Sequence, residues 1–137
     1  MIEYIKGAIV QLTPTYMVIE TAGIGYGIEI SVSTFDSLQG KDSARVFIHE
    51  IIREDAHILF GFGSEREREL FRLLIGVSGV GANIARTVLS ALPPASLETA
   101  ISQGDVSTLK SVKGVGAKTA ERIIVDLRDK IKPSDTT

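Results

Sequence analysis

Two stretches of this sequence repeat a glycine-centred pattern whose spacing could bind phosphate. Residues 74–85, LIGVSGVGANIA, align without gaps on residues 109–120, LKSVKGVGAKTA, which lie 35 positions further along the chain. Leu, Val, Gly-Val-Gly-Ala and Ala recur at matching places. Each copy predicts a helix, a tight turn and a second helix, and a small residue, Ala85 or Ala120, lets the two helices approach closely.

The two turns, Gly79-Val80-Gly81 and Gly114-Val115-Gly116, have the chemistry of an anion site. Glycine permits a positive φ and leaves backbone N–H groups uncovered, and the start of the following helix adds a partial positive charge. A phosphate oxygen fits such a site. Because a contact to backbone phosphate carries no base information, the pattern predicts DNA binding that is blind to sequence, with successive phosphates of one duplex held by the two turns.

Basic side chains accompany the second turn. Lys118 lies near the start of the helix after it and Arg122 follows one helical turn later on the same face, while Lys110 and Lys113 precede the turn. A solvated basic face is the alternative, but the link to the glycine turn favours phosphate contact.

The first turn is poorer in cations. Asn83 stands where its partner has Lys118, and Arg86 is the nearest cation. We therefore expect the first turn to bind more weakly, or chiefly through its backbone. A turn that merely closes a helical hairpin remains the alternative for a single copy, and the gapless repetition argues against it for two.

Other glycine motifs fit less well. Residues 114–119, GVGAKT, are superficially similar to a nucleotide-binding P-loop, but Ala117 occupies a place where that loop needs glycine, and a predicted helix precedes it. Ile84 stands where a dinucleotide fingerprint needs its last glycine. The sequence thus predicts no bound ATP, NAD or other cofactor.

One acidic pair, Glu54-Asp55, lies between two apolar runs at the tip of a predicted β-hairpin. Adjacent acids on an exposed turn point in different directions and lack an enclosing pocket, which makes them a weak active site. His49 and His57 flank the pair without metal-ligand spacing. We predict no catalytic residue and no metal site.

Composition limits the remaining classes. The chain has 137 residues, 44% of them hydrophobic, and no cysteine, so disulfides, thiolate metal sites and thiol nucleophiles are excluded and a reducing cytoplasm fits. No apolar run approaches the roughly 20 residues of a membrane helix. The net charge of −2 hides an uneven distribution: residues 1–63 hold four Lys/Arg and eight Asp/Glu, and residues 64–137 hold eleven and nine.

The pattern of elements changes at the same point. Residues 1–63 predict a five-stranded β-barrel of the oligonucleotide-binding type, residues 64–132 an all-α domain, and residues 133–137 a disordered polar tail, giving an α+β protein. The predicted strands are 2–10, 16–20, 26–32, 45–52 and 57–62, with a possible helical turn at 33–38. In the second half, Ser64-x-x-Glu67 predicts a capping box and a helix from about Glu65. Further helices are predicted at 95–102, from Asp105 through Lys110, and at 117–132.

The pattern L-x-x-V-x-G-V-G-x-x-x-A resembles the helix-hairpin-helix motif of sequence-independent DNA-binding proteins. Together with the first half, the chain resembles the RuvA family, the Holliday-junction-binding subunits of the bacterial branch-migration machine, over about residues 1–132. The stretches that carry the likeness are Met1-Ile2, Lys6-Gly7, Gly23 to Tyr26, Thr34-Phe35, Arg53 to Ala56, Phe60 to Phe62 and Lys118 to Val125.

The resemblance implies a cytoplasmic homotetramer that holds a four-way DNA junction open and planar on a basic face. It implies two protein partners, the hexameric ATPase RuvB and the resolvase RuvC, and no catalysis by the chain itself. The phosphate contacts would come from the two turns with Lys118 and Arg122. Glu54 and Asp55 of four chains would meet near the symmetry axis as an acidic pin of eight carboxylates, which keeps duplex arms out of the centre.

Two departures from the family qualify these expectations. Family members often have Lys at the places of Asn83 and Ala117, so fewer cations and a smaller salt dependence are expected. The family also has a third, RuvB-contacting domain after a flexible linker, and a shortened form that binds junctions without stimulating RuvB is favoured over a naturally two-domain protein. A fragment of a helix-hairpin-helix repair nuclease or glycosylase, and a protein-binding module, are the alternative functions.

Overall fold

A computed structural model describes residues 1–131, and the chain divides into two compact units, Met1–Arg68 and Glu69–Thr137. The predicted α+β class is confirmed: a closed five-stranded barrel is followed by a helical part. The strands are β1 Tyr4–Leu12, β2 Tyr16–Thr21, β3 Ile24–Ile30, β4 Ser43–Arg53 and β5 Ala56–Phe62. The helices are α1 Val32–Leu38, α2 Glu65–Ile75, α3 Ala82–Ala91, α4 Pro94–Ser102, α5 Val106–Lys110 and α6 Ala117–Leu127.

The barrel closes in the order β1-β2-β3-β5-β4, with β4 paired back to β1. Every neighbouring pair is antiparallel except β3 and β5, which pair in parallel at Glu29↔Phe60 and Ile30↔Gly61. Closure pairs the strands with one another around the body of the barrel and so protects their edges there. Alternate residues of the strands point inward, as a period of two requires, and together with Leu38 of α1 they form a core of Ile5, Met17, Ile19, Ile28, Ile30, Val46 and Ile48.

Strand β4 has two differently supported halves. Its first residues pair with β1 from Tyr4↔Phe47 to Ala8↔Ser43. Its later residues pair with β5 alone, in an unbroken register that runs to Arg53↔Ala56. The far end of this hairpin is therefore a two-stranded arm, which we call the acidic arm and define as residues 50–59.

A buried carboxylate organises the start of α2. Glu67 is 3% exposed and accepts hydrogen bonds from the hydroxyls of Ser31 and, at 2.7 Å, Thr34, the N-cap residue and an inner residue of α1. Burial raises the pKa of the Glu67 carboxyl above its ordinary value, against the opposing effect of these hydrogen bonds. The predicted capping box is thus only half formed: Ser64 Oγ accepts from the Glu67 N–H at 3.1 Å, but the Glu67 side chain is bonded to α1.

Two predicted boundaries were wrong. Val32 begins helix α1 and does not end β3, because Ser31 caps the helix by accepting a hydrogen bond from the Thr34 N–H. The last helix ends at Leu127 and not at Lys132, and the turn that follows buries Ile131, which is 3% exposed. Lys132 and the predicted polar tail at 133–137 lie outside the described residues.

The helical unit has its own apolar core, which the helices share. Its fully buried side chains come from successive helices and include both members of each repeated pair of helices. They are Leu70, Phe71, Leu74, Val88, Leu89, Leu97, Ile101, Leu109 and Ile123. The shared core fixes the two glycine turns on one rigid unit, because interiors are close-packed and resist deformation.

Candidate nucleic-acid interface

The first glycine turn, between α2 and α3, is a β-turn that only glycine forms without strain. The Val80 N–H donates to the Val77 carbonyl at 3.0 Å, and Gly79 has a φ of +90° at the third position. Positive φ at that position defines the type II turn and is strained for any residue with a Cβ. Gly79 and Gly81 are both exposed.

The second turn, between α5 and α6, repeats this geometry closely. The Val115 N–H donates to the Val112 carbonyl at 3.1 Å, and Gly114 again has a φ of +90°. The final glycines also match: Gly81 has φ −91° and ψ 179°, and Gly116 has φ −87° and ψ 176°. The sequence repeat is therefore a repeat of backbone conformation.

Each turn delivers uncovered N–H groups at a helix start. In the first copy the Ala85 N–H donates to the Gly81 carbonyl at 2.9 Å, and in the second the Ala120 N–H donates to the Gly116 carbonyl at 2.9 Å. The N–H groups of the three residues between have no helical acceptor, and neither helix start has a side-chain cap. Those groups and the helix dipole favour an anion at both places.

The middle valines stabilise the turns, because the N–H of each closes its own turn and the side chain of each is buried. Val80 and Val115 are each 6% exposed, because their side chains belong to the core. Ala85 and Ala120 are both 0% exposed. The turn is thus anchored from inside while its glycines stay open to solvent.

The predicted cations differ in their surroundings. Lys118 and Arg122 are exposed, and within residues 1–131 neither side chain forms an ion pair. Lys110 and Lys113 are exposed as well. Asn83 is exposed at the start of α3, whereas Arg86 is half-buried and takes part in an interaction of its own.

The predicted acidic pair forms the tip of the acidic arm. Glu54 and Asp55 are the two residues between the paired Arg53 and Ala56, and both are exposed. The tip lies about 10 Å along the strand from Glu50, at roughly 3.4 Å per residue. The arm therefore holds two carboxylates away from the barrel core.

Comparisons with known proteins match both parts of the chain. Residues 1–61 match the family described as RuvA N terminal domain, and residues 71–129 match the SAM-like helix-hairpin-helix tandem. The Holliday junction branch migration complex subunit RuvA of Bacteroides thetaiotaomicron is 51% identical over 137 residues, which cover 100% of this chain and 68% of that protein. The chain belongs to the RuvA family.

Two other RuvA subunits are similarly identical to the chain over nearly its whole length. The subunit from Parabacteroides distasonis is 54% identical over 136 residues, covering 99% of this chain and 69% of its own length. The subunit from Bacteroides fragilis is 56% identical over 132 residues, covering 96% of this chain. The chain spans 66% of the Bacteroides fragilis protein, just under two thirds.

One contact at the base of the acidic arm of this RuvA-family chain was missed by sequence reasoning. Glu50 accepts a hydrogen bond from the Ile2 N–H at 2.9 Å and lies 2.7 Å from Nε2 of His57. These two hydrogen bonds, that of Ile2 first, hold the pKa of the Glu50 carboxyl below its usual range. Glu50 thus ties the base of the acidic arm to the start of the chain, which no local pattern signals across 48 residues.

Among residues 1–131 no group of three or more His, Asp or Glu side chains is arranged to hold a metal ion. Over the same range, no helix combines the length and the apolar character that crossing a membrane requires.

Proposed function

We propose that this chain binds four-way DNA junctions without regard to sequence, as a homotetramer that holds the junction open and planar. Membership of the RuvA family supports the junction as ligand. The single observation that carries the proposal is the pair of matching glycine turns, each with a φ of +90° and a helix start without a side-chain cap. Two such turns on one rigid unit suit two phosphates of one duplex arm.

The contacts would divide into backbone and side-chain parts. The N–H groups around Gly79-Val80-Gly81 and Gly114-Val115-Gly116 would donate to phosphate oxygens, which carry no information about the base sequence. Phosphate can approach these groups closely because the glycines have no side chain. Lys118 and Arg122 add positive charge and make the affinity depend on salt. Asn83 adds a neutral hydrogen-bonding group.

The acidic arm would act on the centre of the junction. With fourfold symmetry, Glu54 and Asp55 of four chains approach the axis and place eight carboxylates where DNA strands exchange. Their repulsion of phosphates raises the free energy of any duplex that crosses the centre, and strands separate there and enter neighbouring arms. The arm would thus discriminate against linear duplex without strengthening binding.

Partners would supply the chemistry of branch migration. We infer that the chain is a non-catalytic subunit of an ATP-dependent complex, in which the RuvB motor moves DNA through the assembly and the RuvC resolvase cuts the junction. RuvB would be recruited through a further, third domain of the family; the chain covers 66% of the length of the Bacteroides fragilis relative.

A gel-shift comparison tests the proposal. Four-way, linear and single-stranded DNA of matched sequence are titrated with the chain at two salt concentrations, and the mass of the protein alone is measured by light scattering. The expected result is preference for the four-way junction, an affinity that falls with salt, and a tetramer. Equal binding of linear and four-way DNA, or binding that does not respond to salt, would refute it.

A further inference from the structure

The Arg122 side chain of the second hairpin reaches the turn of the first. A Cβ built on Gly79 would lie 3.9 Å from Nη1 of Arg122 and 3.8 Å from Oγ1 of Thr119. A Cβ built on Gly114, in the second turn, would meet nothing within 4 Å. Arg122 is therefore next to the turn of the other hairpin, although its position in sequence assigns it to its own.

The first copy of the repeat lacks the cations that the second copy carries at the matching places. In the first copy Asn83 stands at the place of Lys118, and Thr87 stands at the place of Arg122. The Thr87 hydroxyl donates to the Asn83 carbonyl at 2.9 Å, on its own helix. The first hairpin thus has no cation at either place, while the second has two.

We propose that Arg122 supplies the phosphate-binding cation of the first turn, while Lys118 supplies that of the second. The inference rests on the proposed junction binding and adds which turn each cation serves. The guanidinium has five N–H donors in a planar fork that suits phosphate, and Arg122 is exposed. The structural repeat would then hold one cation at each turn, although the sequence places both on α6.

The assignment makes the two hairpins dependent on each other. Arg122 is positioned by α6, whereas the N–H groups it assists belong to the turn before α3. A change at Arg122 should therefore resemble a defect of the first turn and should be corrected by a cation placed there.

Returning the lost positive charge at one of two different positions tests which turn Arg122 serves. Arg122→Gln should lower four-way junction affinity about tenfold at low salt and reduce the salt slope by about one. Adding Asn83→Lys to that variant should restore affinity to within about twofold, because it returns a cation to the first turn. Adding Ala117→Lys, which places the same charge at the start of α6, should restore much less.

Two controls complete the design. Lys130→Gln removes an equal charge from an exposed position elsewhere in the same unit and should change affinity less than twofold. Thermal melting of each variant by circular dichroism should match the parent chain, since all four positions are exposed and Arg122 has no ion pair within the described residues.

Each other outcome overturns the inference. Equal rescue by Asn83→Lys and Ala117→Lys, better rescue by Ala117→Lys, or a loss in Lys130→Gln as large as that in Arg122→Gln would mean that Arg122 acts only through general charge or at its own turn. No junction binding by the parent chain would be different, because it would remove the proposed function itself.

Discussion

The acidic arm and the two glycine turns are both tight reversals at exposed ends of hairpins, yet they present opposite charge by different means. The arm presents charge on two side chains, Glu54 and Asp55, while the turns present it on backbone N–H groups at helix starts. Of the described non-glycine residues, only Ala22 has a positive φ, so the arm's tip is in ordinary backbone conformation.

This difference predicts which regions tolerate change. The backbone of the tip does not require a special residue, so the role of Glu54 and Asp55 lies in their negative charge. The two carboxylates can therefore be neutralised while the fold stays intact. The turns need glycine at Gly79 and Gly114, because both have a φ of +90°. Substitution in the turns should therefore alter structure and binding together, whereas substitution in the arm should alter discrimination alone.

The largest effect is expected from a Cβ at a glycine with a positive φ. Gly114→Ala should lower the free energy of unfolding by about 1–2 kcal/mol, because a left-handed conformation costs that much for a residue with a Cβ, and should weaken junction binding tenfold or more. Gly116→Ala is the matched control, since its φ of −87° suits any residue. Urea unfolding followed by circular dichroism measures the difference, and equal stability of the two variants would contradict the turn geometry.

A smaller effect should separate backbone from side-chain contacts. Lys118→Gln should reduce junction affinity several-fold and lower the salt slope by about one, since one fewer counterion is released. Asn83→Gln, at the matching place in the first copy, should leave the slope unchanged. Affinities at four or more salt concentrations provide both slopes, and an unchanged slope in Lys118→Gln would show that this lysine does not meet phosphate.

The smallest effect concerns Glu50, which ties the base of the acidic arm to the start of the chain. The Ile2 N–H and the His57 ring hold the pKa of Glu50 below its usual range, so their stabilisation is present above the ordinary glutamate pKa and is lost as pH falls through the lowered value. The Ile2 amide proton resonance should therefore move with pH at a midpoint below the ordinary glutamate pKa. Glu50→Gln should abolish that movement. A midpoint at the ordinary glutamate pKa would show that Glu50 is not held by the Ile2 N–H and the His57 ring.

Much of the fold was predictable because its signals are local. Alternating apolar residues fixed the five strands to within a few positions, and the repeat with its glycines located both turns. Val32 was misplaced because the hydroxyl of Ser31 caps α1, and the end of α6 was misplaced because a turn that leads to the buried Ile131 follows Leu127. Neither contact has a strong pattern in the neighbouring sequence.

The site was predictable in its turns and less so in its cations. Spacing within one helix put Lys118 and Arg122 on one face, but it could not show that Arg122 reaches Gly79, which lies 43 residues earlier. Nor could it show the Glu50 anchor, whose partner is Ile2. Both contacts depend on packing between elements, which a single sequence does not specify.

The acidic arm gives the most direct test of the account. Dissociation constants for four-way and linear DNA are measured side by side for the parent chain and for Glu54→Gln combined with Asp55→Asn. Neutralising the charges should leave the affinity for the four-way junction equal or higher. The dissociation constant for linear DNA divided by that for four-way DNA should fall by about fivefold or more, because about 1 kcal/mol of lost repulsion corresponds to that factor. Weaker junction binding with an unchanged ratio would contradict the account.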